Sequence, residues 1–121
     1  RLASARGLGD VYKRQLLDEI IHFIENHLSE ELSAKRIAAH FLVSESSINQ
    51  LFSKQISLSL YRYITQRRLI EAKNLISSQT PLKKLPELCG FSDYSVFYKA
   101  FTKQYGISPK EYKNRIFKMQ Q

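Results

Sequence analysis

"FSDYSVFYKAFTKQYGISPKEY", residues 91–112, carries five aromatic residues between Tyr94 and Tyr105 on what reads as one basic helix, closed by Gly106, Ile107, Ser108 and Pro109. Such a stripe suits three uses: the core of a helical domain, a platform on which bases stack, or a helix laid in a DNA groove. The glycine and the Ser-Pro pair that follow mark its end, since glycine takes a left-handed cap and proline cannot continue a helix. The flanking segments decide among the three uses.

Just upstream, "LKKLPEL" (82–88) reads as a short helix and "CGFS" (89–92) as a turn, so the quoted helix is the second of a pair. Pro86 lies inside the short helix, where its ring and missing N–H oppose helix by about 3 kcal/mol. A distorted or shortened helix, starting late near Lys83 or Lys84, is expected there. The same layout occurs earlier in the chain. Ser33 is a candidate N-cap for "AKRIAAHF" (34–41), whose small Ala38 and Ala39 permit close approach of another helix. After a tight turn, Ser44 caps "ESSINQLFSKQ" (45–55), with Ile48, Leu51 and Phe52 facing inward and Ser46, Ser47, Asn49 and Gln50 on the other side. The stretches 38–55 and 86–104 align: Ile48 precedes Leu51 and Phe52 as Phe97 precedes Ala100 and Phe101. Two copies of a helix-turn-helix outline are therefore expected.

Between the copies, "LYRYITQRRLIEAKNLIS" (60–77) sets Leu60, Ile64, Leu69, Ala72, Leu75 and Ile76 at helical spacing with no Gly or Pro inside. At 1.5 Å per residue this helix is roughly 27 Å long, and "SSQTP" (77–81) ends it. Ahead of the first copy, Leu17, Ile21, Ile24 and Leu28, widened by Leu16, Ile20 and Phe23, form an amphipathic helix over 16–28. No strand alternation is visible. The expected fold is all-α: two helix-turn-helix lobes, 16–58 and 79–121, joined by a long linker helix, 59–78. The opening "RLASARGLGDVYKRQ" (1–15) has no sustained helical period and resembles adapter-derived translations at the ends of fragmentary reading frames. It is expected to be a non-native or disordered segment and carries no weight in the fold.

With 121 residues, 43% hydrophobic and 25% charged, the chain has room for one domain or two very small units sharing an element. Net charge is +8, unevenly spread: the balances over residues 1–15, 16–59 and 60–121 are +3, −3 and +8. A basic half of that size points to a polyanion, and the lack of a lipid-facing amphipathic helix favours nucleic acid over a membrane surface. Cys89 is the single cysteine, which excludes an intramolecular disulfide and a cysteine-built zinc site. No apolar run reaches the ~18–20 residues of a membrane span and no signal peptide is visible, so a cytoplasmic location is expected. No phosphate-cradling loop, catalytic triad or paired carboxylate is present, so no enzyme activity, cofactor or metal is expected. His22, His27 and His40 are too scattered along the chain for a ligand set.

In this layout the sequence resembles the DNA-binding domain of the AraC/XylS family of bacterial transcription regulators, over about residues 16–116. The family's signature is matched at Gly90, Phe91, Phe97, Phe101, Lys103, Gly106, Ser108, Pro109 and Tyr112, and its linker-helix pattern at Arg68, Leu69, Ala72 and Leu75. The resemblance implies a homeodomain-like pair of lobes whose second helices enter successive major-groove segments of double-stranded promoter DNA. Those segments recur about 34 Å apart on one face of B-DNA, which suits a rigid linker helix. It also implies RNA polymerase as a partner and, since the only methionine is Met119, a missing amino-terminal effector or dimerisation domain.

Matched to the family's base-facing positions, the first reading helix offers Ser46, Ser47, Asn49 and Gln50, of which Asn and Gln can pair bidentately with adenine. The second offers Tyr94, Ser95, Tyr98 and Lys99, with Phe97, Phe101 and either Val96 or Ala100 turned inward beside Phe91. Phosphate contacts are expected from Lys54, Arg67, Arg68, Lys103 and Lys110, and from the helix start near Ser92; Arg68 is equally suited to holding Glu71 or an acidic residue of the first lobe. Three positions depart from the family pattern: Pro86 inside its short helix, and Leu42 in the first turn and Ser57 after the first reading helix, where a left-handed backbone would cost about 1 kcal/mol each. A competing reading is a helical protein-interaction module whose basic face no longer reads DNA.

Overall fold

Residues 2–119 are described by the computed structural model of the chain, with side chains from Gly9 onward, and they form seven α-helices and one 3-10 turn without any strand. Arg1, Gln120 and Gln121, which the expected segments 1–15 and 79–121 include, lie outside the described residues.

Helix α1 (Leu2–Asn26) corrects the sequence expectation at both ends. It runs back through the opening segment, because Gly7 and Gly9 disfavour a helix by only about 1 kcal/mol each and no proline intervenes. Packing does not hold that extension: residues 10–15 are exposed, and burial starts at Leu17. At the other end the helix stops at Asn26, so Leu28 is buried from a turn rather than from the helix.

The chain divides into two units, one formed by residues up to His27 with Leu32–Ile64, the other by Leu28–Glu31 with residues from Thr65 onward. In the first unit, α2 (Ala34–Phe41) starts where the Ser33 hydroxyl accepts the Arg36 N–H at 3.1 Å. It ends at Leu42, whose φ of 58° lets the Val43 N–H reach the Ala38 carbonyl at 3.0 Å. Helix α3 (Glu45–Gln55) is capped by Ser44, which accepts the Ser47 N–H at 3.0 Å, and is closed by Ser57 at φ 63°. Both left-handed conformations foreseen for Leu42 and Ser57 are present. Ile20, Ile24, Ile37, Ile48 and Phe52 are fully buried here, each contributing about 1.5–3 kcal/mol by leaving water. Of the two alanines expected to permit close packing, Ala38 is buried and Ala39 is exposed.

Helix α4 (Leu60–Ser77) matches its expected extent, giving Leu60 and Ile64 to the first unit's core and Leu69, Ala72 and Ile76 to the second's. Pro86 acts as foreseen. A 3-10 turn (Leu82–Lys84) precedes a five-residue α5 (Leu85–Cys89), so the proline falls in the first turn, where its missing N–H costs nothing. Gly90 (φ 90°) ends α5, and the Asp93 carboxylate caps α6 (Tyr94–Tyr105) by accepting the Val96 N–H at 2.8 Å. Gly106 (φ 77°) closes α6, and Ser108 caps α7 (Pro109–Met119). The core joins Leu69, Ala72, Ile76 and Leu85 to Cys89, Phe97 and Phe101. Around it pack Phe91, Ala100, Tyr105 and Tyr112, and the Lys73 ammonium lies 4.5 Å from the Tyr105 ring centre. Burial pushes the Cys89 thiol up to about 12, with Glu71 adding to the rise and Arg68 opposing it.

The two helix pairs repeat each other, α2 and α3 in one unit and α5 and α6 in the other. Each has a left-handed residue ending the first helix, Leu42 or Gly90, and an oxygen-bearing cap opening the second, Ser44 or Asp93. The second turn is one residue longer, which accounts for the one-residue offset in the alignment of the two sequences.

Candidate nucleic-acid interface

On α3 the side opposite Ile48, Leu51 and Phe52 is polar and open: Ser46, Ser47, Asn49, Gln50 and Lys54 are all exposed. They are not equally free. The Ser47 hydroxyl lies 2.8 Å from the Ser44 hydroxyl and is occupied at the cap, whereas no bond ties Asn49 or Gln50 among the described residues. Ser53, one turn beyond Asn49 and Gln50, is exposed as well and was missed, although its spacing of three and four residues from them signals the same face. The opening segment also reaches this helix. Gly9, Tyr12 and Lys13 of α1 share a groove of about 270 Å³ with Ser47, Gln50 and Lys54.

On α6, Phe97 and Phe101 have no exposed surface, which rules out stacking of bases on either ring and makes them core. Tyr94 and Tyr98 are exposed by 38% and 43%, and Ser95 and Lys99 are exposed beside them. Tyr94 is set edge-on against Phe97, ring centres 5.6 Å apart, so its ring rests on the core with part of its surface open. Burial, with a smaller contribution from Tyr98, pushes the Tyr94 phenol up, keeping it a hydrogen-bond donor at neutral pH. Between the two residues offered as alternatives for the inner side, Ala100 packs against the core while Val96 is 44% exposed. Val96 thus joins the open face of α6.

The expected phosphate contacts separate into groups. Lys54, Lys103 and Lys110 are exposed, on α3, α6 and α7 respectively. Ser92 is exposed but lies outside α6, which begins at Tyr94; the Val96 N–H is already taken by Asp93, whose carboxylate repels phosphate at that end. Arg67 is half-buried. Arg68, expected either at a phosphate or holding an acidic residue, bonds main-chain oxygens, one of them that of Glu30. Its Nε donates to the Leu28 carbonyl at 3.0 Å and its Nη2 to the Glu30 carbonyl at 2.7 Å, so it fastens the turn after α1 through main-chain oxygens. Gly90 packs against the same place: a Cβ there would overlap the Leu28 carbonyl and lie 2.7 Å from Arg68 Nε.

A helix-turn-helix domain family matches residues 37–115, from α2 into α7. The chain belongs to the AraC/XylS family. It is 36% identical over 94 residues to the probable transcriptional regulator LumQ of Photobacterium leiognathi, covering 77% of this chain and 38% of that protein. Against the xylose operon regulatory protein of Haemophilus influenzae it is 24% identical, covering 81% of this chain and 26% of the relative. This AraC-type domain therefore spans roughly a quarter to two-fifths of the length of these curated relatives. Among solved structures, a DNA-binding transcriptional dual regulator from Escherichia coli K-12 superposes with a TM-score of 0.74 at 27% identity, over 82% of this chain and 89% of that one. The DNA-binding domain of AdpA, solved in complex with a target DNA, shares the fold with a TM-score of 0.77 at 21% identity, over 82% and 90%. No helix among the described residues is long and apolar enough to cross a membrane.

Proposed function

We propose that this AraC-type domain reads double-stranded promoter DNA with α3 and α6, each entering a major-groove segment with its open face. The observation that carries the reading is the same division on both helices. Fully buried residues, Ile48 and Phe52 on α3 and Phe97 and Phe101 on α6, fix one side, and base-capable polar side chains occupy the other. Ser46, Asn49 and Gln50 suit adenine-rich contacts, with Ser47 closing the cap. Tyr94 and Tyr98 can touch thymine methyls, Ser95 can bond either groove edge or phosphate, and Lys99 can reach guanine or a phosphate. Lys54, Lys103 and Lys110 serve the backbone. Ser92, Arg67 and Arg68 contribute less, Arg68 because it holds the turn after α1.

The charge balance assigns the two halves different work. Residues 60–121 hold twelve basic and four acidic residues and supply most of the electrostatic affinity, while the acidic 16–59 adds selectivity. The domain acts in the cytoplasm, with RNA polymerase as its protein partner, in a regulator whose amino-terminal part senses an effector or dimerises. Titration of a DNA duplex at several salt concentrations tests this reading. Affinity should fall steeply and linearly on logarithmic axes, Lys99→Ala should flatten that slope by about one counterion, and Asn49→Ala should leave the slope unchanged. A larger loss of nonspecific binding from Asn49→Ala than from Lys99→Ala would overturn the division of labour.

A further inference from the structure

The three histidines, scattered along the sequence, are gathered by the fold. His22, His27 and His40 all line one open groove of about 460 Å³ between α1 and α2. Among the described residues no group of three or more His, Cys, Asp or Glu is placed to hold a metal ion. His27 and His40 pack with Phe23 and Phe41 as an aromatic cluster. The Phe23 ring is buried: His27 stacks on it at 4.1 Å, His40 lies at 4.4 Å, Phe41 is edge-on at 5.8 Å and the chain's own Arg36 guanidinium lies 5.5 Å from its centre, which leaves the exposed His22 and His40 and the half-buried Phe41 as the open rings. His27 is fixed by a bond of 2.6 Å between its Nδ1 and the Phe23 carbonyl, so the surface is held before anything binds to it. Along its α1 rim stand Asp18 and Glu19, both exposed and with no ion-pair partner among the described residues.

We propose that this groove docks a basic segment of a partner protein, one presenting an arginine or lysine next to an apolar side chain. Two carboxylates beside aromatic rings match that chemistry. A guanidinium can bond a carboxylate through two donors while resting on the exposed His22 or His40 ring, since Phe23 is already covered by His27, His40 and Arg36, and the neighbouring apolar group covers Phe41. DNA is excluded as the occupant by the same charges, since Asp18 and Glu19 repel phosphate and residues 16–59 carry a balance of −3. None of the base-reading residues of α3 lines the groove, so occupying it leaves them free. The inference rests on the DNA-binding reading only in expecting a protein partner for a domain engaged on DNA.

The test is a displayed library of random peptides selected on the full 121-residue chain, with the Asp18→Lys/Glu19→Lys double variant as comparison and duplex DNA binding measured for both. Selected peptides should be enriched in arginine or lysine beside apolar residues. They should bind the double variant about tenfold or more weakly, the scale of losing two exposed ion pairs and meeting repulsion instead, and should also lose binding to Phe41→Ser. Because Asp18 and Glu19 are exposed, the variant folds, and its DNA affinity should be kept or raised. Peptides without basic enrichment, peptides that bind the double variant equally well, or no enrichment at all would overturn the docking site while leaving DNA binding intact. Failure of the wild-type chain to bind any duplex would instead refute the functional reading on which the partner rests.

Discussion

Gly90→Ala should be the most damaging single-methyl change in the second unit, and its cost can be worked from two sources. Gly90 ends α5 at φ 90°, where an L-residue costs about 1–2 kcal/mol. The added Cβ would also overlap the Leu28 main-chain oxygen and sit 2.7 Å from Arg68 Nε. Neither neighbour can yield cheaply, because Arg68 is held by bonds of 3.0 and 2.7 Å to the Leu28 and Glu30 carbonyls. Losing one such charged hydrogen bond costs about 1.5–3 kcal/mol, so the total is roughly 2.5–5 kcal/mol. For a chain of this size that lowers Tm by about 10–20 °C. Gly106→Ala is the internal control, since Gly106 has φ 77° but nothing within 4 Å of an added Cβ. It should cost only the backbone strain, about 1 kcal/mol and a few degrees. Calorimetry of both variants decides the matter: equal losses would show that the Arg68 clamp does not press on Gly90.

Leu42 is 91% exposed in a left-handed conformation, so Leu42→Asn should stabilise by about 0.5–1 kcal/mol, seen as a higher denaturant midpoint with unchanged slope. Asp93→Ala should cost about 0.5–2 kcal/mol by removing the α6 cap while raising nonspecific DNA affinity at low salt, because a carboxylate leaves the start of α6. A thiol pushed up to about 12 should leave Cys89 inert to alkylating reagents at pH 8 in the folded chain and reactive in urea. Since its ordinary value is 9.0, the stability this raised value carries is fully present below pH 9 and is lost as pH rises toward 12, which a pH series of denaturant midpoints would show. Removing residues 1–15 should change stability by less than about 1 kcal/mol, because residues 10–15 are exposed; a larger loss would mean that the extension of α1 is part of the fold.

Periodicity carried the core of this fold. Ile48, Phe52, Phe97 and Phe101 recur at helical spacing and are fully buried, and Ser33, Ser44 and Pro86 act at the positions their local chemistry dictates. Such features are legible because cap and stripe involve residues within one or two turns. What was not legible depends on contacts far apart in the chain. Arg68 bonds a carbonyl forty residues away, and nothing local separates that use from a phosphate contact. The histidine groove likewise exists only once α2 packs beside α1. Val96 illustrates a finer limit, because two neighbouring positions near the edge of a helical stripe share a sequence signal and only packing put Ala100 inside. The helical path of the opening segment was missed because it has no apolar period, which is the same reason it buries so little.

Selection of residues 16–121 on a randomised duplex library at about physiological salt, followed by sequencing, tests the central claim most directly. Two short preferred motifs spaced by one helical turn, bound by a monomer and altered separately by Gln50→Ala and Lys99→Ala, are the predicted result. Tight binding with no preferred sequence, unchanged by either substitution, would contradict α3 and α6 as reading helices.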